Sequence, residues 1–102
     1  MNITPIEISQ TAASGVWSFN TDRISGGILK QILIKAATAT TTFNVKITDR
    51  NSNVVYDSDE EGDASTGTLN AKKGIPLLGK YTIAVDTSSA DEAFTGRLMV
   101  QM

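Results

Sequence analysis

The feature that most constrains this chain is a two-residue alternation of apolar and polar side chains that recurs along its length. In "TTFNVKITD", Phe43, Val45 and Ile47 fall on one side while Asn44, Lys46 and Thr48 fall on the other. "KYTIAVD" repeats the pattern with Tyr81, Ile83 and Val85. "AFTGRLMVQM" does so with Phe94, Leu98 and Val100, Gly96 leaving a gap on the same face. "IEIS" adds Ile6 and Ile8, and "GVWSFN" is a short aromatic run bounded by Gly15 and by turn-forming residues at 20–22. Successive side chains of a strand point to opposite faces, so a period of two describes strands with one face buried, whereas a helix would need a period of 3.6.

One segment departs from this pattern. "GILKQILIKAA" carries aliphatics on both faces, Ile28, Ile32 and Ile34 on one and Leu29 and Leu33 on the other. Such a run also suits a helix, but the flanking Gly26-Gly27 and the β-branched tract at 38–42 favour a strand. It reads as a central strand whose second face is covered by a loop or a neighbouring subunit. Turn signals separate the runs at 25–27, 49–53, Gly62, Gly67, Gly74, Gly79 and 86–92, and "ITDRNSNVVYD" reads as a hairpin. The expectation is an all-β chain, an antiparallel β-sandwich or jelly-roll-like single domain over residues 1–102 with seven to eight short strands. At 102 residues there is room for one core and not for two. A polar acidic loop is expected at 57–74.

The residue inventory limits the chemistry severely. The chain has no Cys and no His, so it lacks thiolate ligands, disulfides, the commonest general base near neutral pH and the commonest transition-metal ligand. What it has is "YDSDEEGDASTG", with Asp57, Asp59, Glu60, Glu61 and Asp63 inside seven positions. Asp57-x-Asp59-x-Glu61-Gly62 imitates the opening of a calcium loop, but the twelfth position, which should supply a bidentate glutamate, is Thr68, and no flanking helices are expected. Glycosidase chemistry needs two separated carboxyl groups in a cleft with one of them against an apolar wall, and these acids sit together on a polar stretch. The run therefore reads as a solvated inter-strand loop, kept open by repulsion and discouraging edge pairing. Calcium binding and contact with a basic partner are its alternatives. No catalytic, cofactor-binding or metal-binding residue is assigned, and the chain reads as a non-enzyme.

Three aromatics, Trp17, Tyr56 and Tyr81, could stack on a sugar, although the alternation places Trp17 in the core or at a subunit contact and Tyr81 in the core with its hydroxyl at a sheet end. Outside 57–63 nine bases face six acids, yet the bases are scattered, with only Lys72-Lys73 as a doublet, so nucleic-acid binding is not expected. No segment approaches the ~18–20 apolar residues of a membrane-spanning helix. "MNITPIEISQ" lacks the basic start and apolar block of a signal peptide, so the chain reads as a complete protein made in the cytoplasm. The uncharged tract at 36–42 and the surplus aliphatics of 28–34 suit packing against another chain.

These elements add up to a resemblance. "KQILIK", "TTFNVKITD" leading to "VVYDSD", "PLLGKYTIAVD" and the terminal "FTGRLMVQ" together resemble small β-rich virion proteins of tailed bacteriophages, over roughly residues 15–102. The resemblance is one of strand and turn cadence, without a catalytic motif. It implies a structural protein of the virion, most of all a capsid decoration (cement) protein that binds and stabilises the shell. The partners it implies are the major capsid protein or another virion protein, together with copies of itself in a homo-oligomer such as a trimer. A tail, neck or head-fibre accessory protein, or a carbohydrate-binding module, is the alternative.

Overall fold

A computed structural model describes residues 3–12, 14–63, 66–88 and 91–102. Among these there are eight strands and no helix: β1 (Ile3–Thr11), β2 (Val16–Asn20), β3 (Ile24–Ala36), β4 (Phe43–Asp49), β5 (Val54–Asp57), β6 (Thr68–Gly79), β7 (Tyr81–Thr87) and β8 (Ala93–Gln101). They form two four-stranded antiparallel sheets, in the order β1-β8-β3-β6 and β2-β7-β4-β5. Every consecutive pair except β4–β5 lies in opposite sheets, so the chain wraps back and forth around the core. The expected antiparallel sandwich is present, and its strand order is that of an eight-stranded jelly roll.

The alternation explains the core directly. Phe43, Val45 and Ile47 of β4, Tyr81, Ile83 and Val85 of β7, and Phe94, Leu98 and Val100 of β8 are all buried between the sheets. Phe94 is the largest of the fully buried side chains; its ring lies edge-on to Phe43 at 5.2 Å and tilted against Trp17 at 5.8 Å. Such aromatic pairs add to the stabilisation from burial alone. The gap expected at Gly96 is closed by backbone: β3 passes so near that any Cβ there would overlap the Leu33 carbonyl and lie 3.0 Å from Ile34 Cα. Glycine is the only residue that permits this approach.

Two expectations need correction. In β3 the register shifts between Leu29 and Gln31 against both neighbours. Against β8 the extra residue is Lys30, whereas against β6 it is β6 that carries one more residue between the pairs, and the bulge in β3 reverses the faces on either side of it. Leu29 therefore shares the inner face with Ile32 and Ile34, all fully buried, whereas Ile28 turns outward and is exposed, with Leu33 half-buried. The second correction concerns 57–74: β6 begins at Thr68, so the loop ends there. Leu69 and Ala71 point into the core and Asn70 and Lys72 outward, a strand pattern hidden by the Lys72-Lys73-Gly74 run.

The β4–β5 hairpin forms where expected. Asp49 holds it, its carboxylate accepting from the amides of Asn51 and Asn53 at 2.9 Å each and from Asn53 Nδ2 at 3.2 Å. Ser52 takes the left-handed conformation at φ 64° that the turn requires. The hydrogen bond from the Asn53 amide is the main reason the Asp49 carboxyl is held below the usual aspartate range.

Candidate functional site

The acidic run was the sequence's best candidate for chemistry, and it is not an open loop. Ser58, directly after β5, is buried, and its hydroxyl continues the ladder that β5 starts: it accepts from the Val45 amide at 2.9 Å and donates to Asn44 Oδ1 at 2.6 Å. The amide of Asp59 also donates to Asn44 Oδ1, at 3.0 Å. Backbone bonds from Glu61 to Asp57, Gly62 to Asp59 and Asp63 to Ser58 then coil the segment into consecutive tight turns. The positive φ of Gly62, 70°, allows the last of them. Ala64 and Ser65, also in the acidic stretch, lie outside the described residues.

The carboxylates divide into two sets. Asp57 pairs with Lys46 at 3.7 Å across the β4–β5 ladder. Asp63 accepts the Tyr56 hydroxyl at 2.7 Å and lies 3.1 Å from Lys73 Nζ, which is also 3.8 Å from Glu61 and sits 5.7 Å from the Tyr56 ring centre. The Tyr56 hydrogen bond, followed by Lys73, pulls the Asp63 carboxyl below the ordinary range. Burial, reinforced by Asp63 and the nearby carboxylates, pushes the Tyr56 phenol far above its usual pKa, so it is a fixed donor and not a proton shuttle. Asp59 and Glu60 remain exposed and form no ion pair with another described residue. No three carboxylates among the described residues converge to hold a metal ion. The repulsion expected to hold the loop open is overcome because two lysines and a tyrosine take up the charge of three of the five acids.

The aromatics do not form a sugar platform. Trp17 is 6%, Tyr56 2% and Tyr81 7% exposed, Phe43 and Phe94 are core residues, and Phe19 is half-buried against them. Tyr81 is pinned at the sheet end, its hydroxyl accepting from the Leu78 amide at 2.8 Å and donating to the Leu78 carbonyl at 3.2 Å. Among the described residues the buried indole N–H of Trp17 has no hydrogen-bond partner. The uncharged tract at 36–42 is tied down by the buried Glu92, whose carboxylate accepts from the amide and hydroxyl of Thr38.

What remains are surfaces. The outer face of β2-β7-β4-β5 is mostly small and polar, with Ser18, Asn20, Thr82, Ala84, Asn44 and Thr48, together with the exposed Val16, the Lys46–Asp57 pair and Asp86. The outer face of β1-β8-β3-β6 differs in kind. The register places Pro5, Met99, Gln31 and Lys72 in one row, Ile3, Gln101, Ile28 and Pro76 in the next, and Glu7, Arg97, Leu33 and Asn70 on the other side. Ile3 and Ile28 are exposed, as is Leu78 near one end at 68%. Lys30, Lys35, Lys72 and Arg97 stand exposed among them against the single acid Glu7, a local balance of +3. None of the four bases forms an ion pair with another described residue. Sequence reasoning missed this surface because its bases come from three strands whose order only the fold reveals.

A separate groove of about 500 Å³ opens between the start of β1 and the end of β2, lined by Ile6, Phe19, Ile24 and Val100 together with Asp22 and Arg23. It holds no convergent set of catalytic groups.

No protein-family model and no curated protein sequence matches this chain. Its fold is similar to parts of solved structures at low sequence identity. A structure of infectious bursal disease virus, Gt strain, aligns with 99% of this chain and 33% of its own at 11% identity and a TM-score of 0.43. The VP2 subviral particle of the same virus aligns with 99% and 32% at 14% identity and a TM-score of 0.47. Dimeric latent PorU from Porphyromonas gingivalis aligns with 99% and 13% at 8% identity and a TM-score of 0.39. The chain thus spans about a third of the length of the virus chains it matches.

Proposed function

We propose that this chain is a non-enzymatic structural protein of a virus particle, and specifically a capsid decoration (cement) protein of a tailed bacteriophage that binds and stabilises the shell. The observation that carries the reading is the contrast between a core filled by side chains and an outer sheet face that mixes exposed aliphatics with unpaired bases. A surface of that composition suits an interface with another protein. Two further lines support it. The sequence cadence resembles small phage virion proteins, and the jelly roll is a fold used by viral capsid domains as well as by lectins and cupins. Fold alone does not assign function, so the other uses are weighed against the residues present. Metal-dependent chemistry on this scaffold would draw on imidazole ligands, of which the chain has none. Sugar stacking would draw on exposed aromatic rings, and the rings here are buried or half-buried.

The test is cosedimentation of the protein with expanded, decoration-free capsids assembled from the cognate major capsid protein. Saturable binding that raises the temperature of capsid disruption is the expected result. Absence of binding to capsids together with binding to tails, necks or host glycans would replace this reading with that of an accessory or carbohydrate-binding protein.

A further inference from the structure

The charge of this molecule is unevenly distributed to a degree that its net value of −2 conceals, and the two charged regions adjoin at Lys73, which lines the basic depression and pairs with Glu61 and Asp63 of the acidic turn. The outer face of β1-β8-β3-β6 holds +3. The turns at 57–63 hold five carboxylates against the paired Lys46 and Lys73, a local balance of −3. The two regions match in apolar character as well. At the bulge of β3 a shallow depression of about 420 Å³ is lined by Ile3, Met99, Gln31, Lys30, Lys72 and Lys73. The acidic turn, for its part, carries the exposed Val54 beside Glu60 and Glu61 along the free edge of β5. One region thus presents acids beside an exposed valine; the other presents bases beside an exposed isoleucine and the half-buried Met99.

We propose that the outer face of β1-β8-β3-β6 docks the acidic turn of a second copy of this chain, with Asp59 and Glu60 of the incoming copy entering the depression between Lys30 and Lys72. The acids best placed to do so are the two that form no ion pair with another described residue, and Lys30 and Lys72 likewise form none, Lys73 alone of the lining bases being held by Glu61 and Asp63 of its own chain. The backbone carrying both sets of charges is fixed before contact, that of the acids by Ser58, Asn44 and the 57–63 backbone bonds and that of the bases by the pairing of β3 with β6 and β8, so only side chains need ordering on docking. Because the two patches are different surfaces of one molecule, the contact is head-to-tail. It generates a ring when the rotation between copies closes and a filament when it does not. The proposal deepens the structural-protein reading and rests on it for biological context, but its geometry is independent of any capsid. A phosphate backbone is the competing occupant of a basic face. The absence of an exposed aromatic among the basic side chains disfavours a single-stranded nucleic acid.

The experiment is sedimentation velocity on the full chain from micromolar to millimolar concentration, at low salt and at 0.5 M salt. Two charge-reversed forms are compared, D59K/E60K on the turn and K30E/K72E on the face. All four side chains are exposed and unpaired, so circular dichroism and melting temperature should be unchanged in both. Wild-type chain is expected to self-associate, more weakly at high salt. Each reversed form alone should associate at least about tenfold more weakly, because like charges then face one another. An equimolar mixture of the two should associate again, since each supplies the complement the other has lost. A wild type that stays monomeric to millimolar concentration overturns the proposal, as does association insensitive to both reversals. Duplex DNA shifting the wild type but not K30E/K72E, with no self-association, would overturn it in favour of a polyanion. Capsid cosedimentation of the same samples separates the two readings: a strictly monomeric chain that still coats capsids refutes this contact and leaves the decoration role standing.

Discussion

Replacing Tyr56 with Phe isolates the tie that holds the acidic turn to the sandwich. The ring stays, so the buried apolar surface and its place beneath Lys73 are preserved. What is lost is one hydrogen bond of 2.7 Å to the Asp63 carboxylate. Hydrogen bonds to a charged acceptor contribute about 1.5–3 kcal/mol. Here the lower part of that range applies, because the Asp63 side chain is 26% exposed and keeps Lys73 at 3.1 Å, so water and the ammonium take over part of the bond. We expect Tyr56→Phe to destabilise the fold by about 1–2 kcal/mol, a drop in melting temperature of roughly 5–10 °C for a domain of this size. The effect has a signature in pH. Asp63 is held below its unfolded pKa, so its contribution is fully present above about pH 3.9 and is lost as the pH falls through the lower folded value. The stability gap between wild type and Tyr56→Phe should therefore be constant from pH 5 to 8 and shrink below pH 4. Urea unfolding of both proteins across that range measures it. Equal stability at pH 7, or a gap of the same size at pH 3, would refute the assignment of this bond as a charged one that supports the fold.

Three further outcomes follow from local geometry. Gly96→Ala should destabilise by about 2–3 kcal/mol, read by thermal melting, since a Cβ there overlaps the β3 backbone. An unchanged melting temperature would mean that β3 and β8 do not approach so closely. Ser58→Ala should lose about 1–3 kcal/mol by leaving the buried Val45 amide without an acceptor, and hydrogen exchange at Val45 should accelerate selectively. For Asp49, a carbon-detected NMR titration should place the carboxyl midpoint below the ordinary aspartate value of about 3.9, and Asn53→Ala should move it upward by removing the side-chain bond, the Asn53 amide bond being retained.

Much of the sandwich was legible because its information is local. A strand with one face buried must alternate, so β4, β7 and β8 announce both their existence and their inward residues. The features that escaped depend on neighbours. Nothing within "GILKQILIKAA" marks Lys30 as a bulge; that is settled by how β6 and β8 pair on either side. Read without the bulge, the pattern puts Ile28 in the core and Leu29 outside, the reverse of what folding does. The start of β6 escaped for a related reason, since Asn70 and Lys72 are polar only because they face solvent. In the acidic turn, Tyr56 and Asp63 are seven residues apart and Lys73 ten beyond, a separation that carries no periodic signal. The sequence showed a cluster of like charges and implied repulsion; the fold supplies the counter-charges. The basic face needed the strand order itself, since Lys35, Lys72 and Arg97 belong to β3, β6 and β8.

The place of β8 in its sheet has a consequence for how the molecule comes into being. It is an interior strand, hydrogen-bonded to β1 on one side and β3 on the other, yet it comprises residues 93–101. On a ribosome, β3 and β6 can pair and the β4–β5 hairpin can close while β8 is still to be made, but β1 has no partner in its own sheet until β8 emerges. Pairings between such distant segments place a domain among the slow folders, on a scale of milliseconds to seconds. Through that interval two strand edges and the inner faces of both sheets stay open to other nascent chains. High-level synthesis should therefore expose this protein to aggregation while β1 waits for β8, and lowering the expression level or the temperature should raise the soluble yield without any change in the stability of the finished fold.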